Sequence, residues 1–172
     1  MRLFYAICFN SFIKKSILEH IWELKENSKT GNFTDPDNLH LTLAFIGETN
    51  KPDIAIEAAK CINVPSFSIT LDKPGFFRNG KTQIRWIGIE KNIQLENLHI
   101  QLVNSLKNCG LFIDNRRFLP HITVGRQVIM RSKPILYTQK PKMKVNKISL
   151  MRSDKKEGRL IYTKIYEKEL NC

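Results

Sequence analysis

The sequence predicts an α+β protein built from antiparallel sheets backed by helices. Segments with strand character and segments with helical periodicity mix along the 172 residues, without the strict strand–helix–strand alternation of a parallel sheet. The hydrophobic content of 42 % is sufficient for a packed core, and the length suits one domain or two small, intimately packed lobes.

The strands and helices can be assigned in order from their apolar patterns. Residues 2–9 are apolar and aromatic, as in a buried strand, and residues 11–29 carry apolar side chains at helical spacing. Further strands are expected at 38–46, 66–72, 83–90 and 119–125, further helices at 52–63 and 91–109, and a terminal hairpin at 144–152 and 160–168. The basic stretch 127–142, with Pro134 and Pro141, receives no assignment.

The charge of the chain favours a polyanionic partner. There are 28 Lys and Arg residues against 16 Asp and Glu, a net charge of +12. Such an excess steers nucleic acids toward a protein and is compensated by the release of counterions from their phosphates. RNA or a nucleotide is therefore the expected partner.

The four cysteines fit neither a zinc site nor a disulfide scaffold, because no two of them form a C-x-x-C pair. A reducing, cytoplasmic setting is expected. No membrane segment is predicted, and residues 1–9 are too short an apolar run for a secretory signal.

One short repeat stands out, since His40-Leu41-Thr42-Leu43 is echoed by His121-Ile122-Thr123-Val124. Side chains alternate between the two faces of a strand, so His and Thr of each copy share one face and the aliphatic residues share the other. The polar pairs are expected to face a cleft while the aliphatic residues enter the core.

Two histidines placed around one phosphate suit the hydrolysis of a cyclic phosphodiester. The reaction needs a base for the water proton and an acid for the departing ribose oxygen, and imidazole serves either role near neutral pH. The Thr hydroxyls of the two copies, Thr42 and Thr123, can donate to non-bridging phosphate oxygens. No metal or other cofactor is required by this scheme, and no H-E-x-x-H or D-x-H pattern accompanies either histidine.

Over almost its whole length the chain resembles the 2H phosphoesterases, specifically the bacterial and archaeal RNA 2′,3′-cyclic phosphodiesterases once named 2′-5′ RNA ligases, the LigT or ThpR group. The double His-x-Thr-hydrophobic motif is the specific part of the resemblance. Supporting segments are MRLFYAI at the start, NLHLTLAFIGE at 38–48, IRWIGIE at 84–90, RFLPHITVGR at 117–126 and ISLMRSDKKEGRLIYTKI at 148–165.

The resemblance implies a single two-lobed domain over residues 1–172, with pseudo-twofold symmetry and one motif from each lobe facing a central cleft. It implies that His40 is the proton donor, that His121 is the proton acceptor and that Thr42 and Thr123 contact the phosphate. The expected product carries a 2′-phosphate, and the family also joins RNA ends reversibly through 2′-5′ bonds. A monomer is expected, since a two-lobed cleft needs no partner chain.

Two further residues are candidates for substrate contact. The resemblance suggests that Arg126 binds phosphate or base, although simple alternation turns it away from His121 unless the strand bends or bulges at Gly125. Phe118, beside Arg116 and Arg117, is a candidate for stacking on a base. The basic segment Lys73–Lys81 and the basic C-terminal third are candidate RNA contacts. Trp86 is expected in the core, and His20 and His99 are expected to be structural or exposed.

Three alternatives stay open from the sequence. The same histidine pair would serve another 2H substrate, such as a cyclic phosphate on ADP-ribose or a 2′-5′-linked oligonucleotide. The chain could instead be a basic RNA-binding module without catalysis. A metal-dependent phosphohydrolase is the third alternative, and it predicts loss of activity in chelator.

Overall fold

The computed structural model describes residues 1–114, 116–132 and 139–171. Its strands are β1 Arg2–Cys8, β2 Ser28–Phe33, β3 His40–Glu48, β4 Phe67–Asn79, β5 Thr82–Ile89, β6 His121–Met130, β7 Lys142–Val145, β8 Lys147–Lys156 and β9 Arg159–Glu169. Its helices are α1 Ser11–Glu26, α2 Pro52–Lys60 and α3 Ile93–Asn108, with a 3₁₀ turn at Pro36–Asn38.

The strands form two antiparallel sheets. One sheet has the order β3-β1-β8-β9 and the other the order β2-β6-β5-β4-β7. Helix α1 packs on β2 and β6 of the five-stranded sheet, while α2 and α3 pack together and α3 contacts β3 of the four-stranded sheet. The predicted α+β architecture of two lobes with antiparallel sheets is confirmed.

The helices form where the sequence supplies both a cap and an apolar face. Asn10 caps α1 by accepting a hydrogen bond from the Ile13 amide at 2.9 Å, and Asn92 caps α3 by accepting from Gln94 and Leu95. The buried face of α3 is formed by Leu95, Leu98, Leu102 and Leu106. Buried residues of both sheets and all three helices form one continuous cluster, so the two lobes share a core.

Four boundaries differ from the sequence prediction. Helix α1 ends at Glu26 because residues 28–33 pair with β6 as strand β2, and the segment expected as a basic loop at 73–81 extends β4 into a long hairpin with β5. Strand β6 continues to Met130, and the strand expected at 144–152 is divided between β7 and β8. In each case pairing with a neighbouring strand outweighs the local sequence pattern. Residues 133–138 of the unassigned basic stretch lie outside the described residues.

Both motif strands bulge at the same point, just after the threonine. In the β1–β3 pair Ala6 lies opposite Thr42 and Tyr5 opposite Ala44, so β3 carries one extra residue. In the β5–β6 pair Trp86 lies opposite Thr123 and Arg85 opposite Gly125, which gives β6 one extra residue. A bulge of one residue reverses the alternation beyond it.

The described residues contain no helix long and apolar enough to span a membrane.

Candidate active site

The two motif histidines each open a strand and are oriented by the same local contact. Nδ1 of His40 lies 2.7 Å from the carbonyl oxygen of Asn38, and Nδ1 of His121 lies 2.6 Å from that of Leu119. A carbonyl only accepts, so Nδ1 donates in both residues and carries the proton of the neutral ring. Nε2 is then left as the basic nitrogen of each neutral imidazole.

The threonine beside His40 contacts this nitrogen directly. Nε2 of His40 lies 3.0 Å from Oγ1 of Thr42, and the hydroxyl donates to it while the ring is neutral. Thr123 is half-buried on the same face of β6 as His121, and its carbonyl oxygen accepts a hydrogen bond from the Thr34 hydroxyl at 2.8 Å. That contact fixes the backbone of β6 beside the second motif.

The two motifs lie on strands that contact each other, and charges from the second motif act on His40 of the first. Burial lowers the pKa of His40, the hydrogen bond to Asn38 opposes this shift, and the positive charges of Arg126 and His121 lower the pKa further. Residues of β6 therefore act on a histidine of β3, and these two strands contact each other across the sheets. A bound phosphate would oppose the Arg126 charge and favour protonated His40.

Arg126 reaches this site because of the bulge in β6. Val124 and Gly125 are both buried in succession, after which Arg126 is exposed on the face that carries His121 and Thr123. Arg126 is expected to face the site only if the strand bends or bulges at Gly125, and the structure has this bulge. In β3 the position equivalent to Arg126, five residues after the motif histidine, is Phe45. The Arg2 guanidinium lies 4.9 Å from the centroid of the Phe45 ring.

Aromatic rings line the site on both sides. The centroid of the His40 ring is 4.9 Å from that of Phe4 and 5.2 Å from that of Tyr162. The His121 ring lies 5.3 Å from Phe77, edge to face, and 6.3 Å from Trp86. Sequence reasoning did not single out Phe4 or Tyr162, although strand alternation places Phe4 on the face opposite to the core residues Leu3 and Tyr5.

The expectation that Trp86 is a core residue is wrong. Its neighbours Arg85 and Ile87 are buried beneath the sheet, whereas Trp86 is half-buried on the face of His121. The apolar run at 84–90 concealed this alternation, because apolar residues occupy both faces of β5.

Phe118 and His99 form a stacked pair, with ring centroids 3.9 Å apart and planes 6° from parallel. One face of Phe118 is therefore occupied by His99, and the ring packs against the core; its role in base stacking stays a prediction. Nδ1 of His99 lies 2.8 Å from the carbonyl oxygen of Leu43. His99 thus contacts Leu43 of the first motif and Phe118, which precedes the second motif.

Within the described residues, no group of three or more His, Cys, Asp or Glu side chains is arranged to hold a metal ion.

Comparison with known proteins matches the chain to one family. The family model of the 2′-5′ RNA ligase superfamily matches residues 14–157. A Thermotoga maritima protein named RNA 2′,3′-cyclic phosphodiesterase is 37 % identical over 131 residues, which cover 73 % of this chain and 70 % of that protein. A protein of the same name from Escherichia coli K12 is 36 % identical over 132 residues, covering 73 % and 71 %.

Solved structures show the same fold. Escherichia coli LigT in complex with 3′-AMP superposes with a TM-score of 0.83 at 30 % identity, covering 98 % of this chain and 97 % of LigT. The apo form of that protein gives a TM-score of 0.79 at 29 % identity, with coverage of 99 % and 98 %. The Thermus thermophilus protein TT0787, at 22 % identity and a TM-score of 0.83 over 98 % and 97 %, shares the fold.

Proposed function

Since the chain belongs to the 2′-5′ RNA ligase superfamily, we propose that it hydrolyses 2′,3′-cyclic phosphates at RNA ends to 2′-phosphates. His40 is the proton donor and His121 is the proton acceptor. The observation that carries the proposal is the matched pair of imidazoles, each held through Nδ1 by a carbonyl two residues earlier.

In the proposed reaction the two Nε2 atoms act on opposite sides of the phosphorus. Nε2 of His121 takes a proton from water, whose oxygen attacks phosphorus as the bond from phosphorus to O3′ breaks. Nε2–H of protonated His40 gives its proton to O3′, which leaves a 3′-hydroxyl and a 2′-phosphate. Each histidine ends in the protonation state with which the other began, and solvent exchange resets the pair.

The remaining site residues stabilise charge on the phosphate. Thr42, Thr123 and Arg126 donate to its non-bridging oxygens in this proposal, since negative charge grows there in the transition state. The same groups would serve 2′-5′ joining if an RNA 5′-hydroxyl replaced water, and by microscopic reversibility they would also serve cleavage of that 2′-5′ bond. We expect a cytoplasmic monomer that needs no cofactor, with RNA ends or related nucleotides as partners.

The proposal is tested with a short RNA that ends in a 2′,3′-cyclic phosphate, incubated with the native protein in excess chelator. The product is compared by chromatography with 2′-phosphate and 3′-phosphate standards. We expect complete conversion to the 2′-phosphate at a rate that chelator does not change. Turnover that requires an added divalent metal, or a 3′-phosphate product, would contradict the proposal.

A further inference from the structure

We propose that the RNA strand leading to the cyclic end lies along the β8–β9 hairpin, where Lys155, Lys156 and Arg159 contact its backbone phosphates. This inference rests on the proposed function and adds to it the direction in which the substrate crosses the site.

The direction follows from the assignment of acid and base. In an in-line displacement the attacking water and the departing O3′ lie on opposite sides of phosphorus. The ribose carries both O3′ and O2′, so the nucleoside lies on the side of the acid, His40. The water lies on the side of the base, His121. The strand that precedes the terminal nucleotide therefore leaves the site over the lobe of His40.

Strand β9 lines that side of the site. The Tyr162 ring stands edge-on to His40 at 5.2 Å between centroids and contacts Phe4 at 5.0 Å. The Asn38 side chain donates to the Leu160 carbonyl oxygen at 2.8 Å, while the Asn38 backbone carbonyl orients His40. One residue thus ties the hairpin to the catalytic imidazole.

The tip of the hairpin carries cations that pair with no acidic side chain among the described residues. Lys155, Lys156 and Arg159 are exposed, and none of them forms an ion pair with a described residue. Lys147 and Lys164, farther down the same two strands, both pair with Glu167. The only acidic residue from 155 to 164 is Glu157 at the turn. The tip therefore presents cations suited to a polyanion, Lys155 on the face of Tyr162 and Lys156 with Arg159 on the other face.

The β4–β5 hairpin provides a matched control. Its tip carries Arg78 and Lys81, which are exposed and form no ion pair with a described residue, and its Phe77 contacts His121. The sequence alone makes Lys73–Lys81 a candidate RNA contact, but this hairpin lies on the side of the attacking water, where the proposal places no RNA strand.

The test compares two charge-removal variants on two substrates. Lys155→Ser/Lys156→Ser and Arg78→Ser/Lys81→Ser are assayed with an RNA octamer that ends in a cyclic phosphate and with a nucleoside 2′,3′-cyclic phosphate. For the β8–β9 variant we expect kcat/KM on the octamer to fall about tenfold, and its logarithmic salt dependence to become shallower by about 1.4, the single-strand value for two lost contacts. The nucleotide substrate and the β4–β5 variant should be affected less than twofold.

Binding separates the strand path from the chemistry. The affinity of each protein for the octamer ending in 2′-phosphate is measured by fluorescence anisotropy, which needs no turnover. Weaker binding in the β8–β9 variant alone supports the path, even if the native protein hydrolyses neither substrate and the proposed function fails. Equal loss in both variants, loss confined to the β4–β5 variant, or no loss in either would overturn it.

Discussion

At the scale of single residues, His40 and Arg126 connect the two halves of the site. They belong to different sheets, yet the Arg126 charge lowers the pKa of His40. A lowered pKa favours the neutral form of this proton donor before substrate binds. The bound phosphate is then the group that favours protonation of His40, because it opposes the Arg126 charge.

Replacing Arg126 tests this electrostatic link. In Arg126→Gln we expect the pKa of the His40 imidazole to rise from its lowered native value toward the ordinary value of about 6.5, since one opposing cation is lost. The measurement is an NMR titration of the ring proton. Arg131→Gln, which removes an exposed arginine just beyond the end of β6, should leave the His40 pKa unchanged. A pKa in Arg126→Gln that stays constant or falls would refute the link.

The motif residues could be predicted from the sequence, and Arg126 only conditionally. Alternation places His121 and Thr123 together because it operates within one strand. The place of Arg126 depends on a bulge against β5, which is a property of two paired strands. The histidine–phenylalanine stack of His99 on Phe118 depends in turn on the packing of α3 near both motifs, which the local pattern does not encode.

At the scale of elements, the β4–β5 hairpin supports His121 through an aromatic wall. The Trp86 ring lies over the backbone of Gly75 and in contact with Phe77, and both aromatic rings neighbour His121. A methyl group at position 75 would overlap the indole ring. Glycine is therefore required here by close approach of a side chain to the strand.

Substituting Gly75 should disturb both stability and the site. For Gly75→Ala we expect the free energy of unfolding to fall by about 1–3 kcal/mol, because overpacking forces Trp86 from its position. Denaturant unfolding measures the loss, and tryptophan fluorescence reports the displaced ring. Gly80→Asn places a residue that tolerates positive φ at an open turn position and should cost less than about 0.5 kcal/mol. Equal stability of Gly75→Ala and the native protein would show that the wall accommodates the methyl group.

Most elements could be predicted from their own sequence, and the exceptions are instructive. Helix α3 has its cap and its leucine face within 17 residues, Asn92 to Asn108, so its pattern is self-contained. Strand β2 follows a helix directly and contains Gly31, and only its pairing with β6 makes it a strand. The long β4 likewise depends on β5, since Lys73, Pro74 and Gly75 have low strand propensity.

At the scale of the whole molecule, the core contains a histidine whose pKa is lowered in the folded state. His20 is 4 % exposed on the buried face of α1. Burial, together with the positive charge of Arg85, lowers its pKa to about 4. The neutral ring is thus favoured by folding, which makes the stability of the molecule sensitive to acid.

The direction of the pH dependence follows from that shift. In the unfolded chain His20 titrates near 6.5, so its contribution is complete above pH about 6.5 and is lost as the pH falls toward 4, by about 3 kcal/mol. Chemical denaturation between pH 7 and 4 measures this loss. In His20→Gln the loss of unfolding free energy between pH 7 and 4 should be smaller by about 3 kcal/mol. An unchanged slope in the variant would show that other groups cause the acid sensitivity.

The two-lobed arrangement is predicted through the family resemblance that the double motif carries, and the structure has one copy of the motif in each sheet. Composition adds the expected polyanionic partner through the net charge of +12. Which cationic surface meets the substrate depends on the assembled molecule, since the β8–β9 and β4–β5 hairpins carry similar charge and differ in the histidine they approach.

The most direct test of the central claim is the hydrolysis rate of an RNA 2′,3′-cyclic phosphate by His40→Asn, His121→Asn and the double variant, each checked for folding by circular dichroism. Acid and base act in one step, so we expect each single variant to lose about 10²- to 10⁴-fold in kcat, and the double variant to lose much less than the product of the two losses. A single variant that keeps more than about a tenth of the native rate would contradict the two-histidine mechanism.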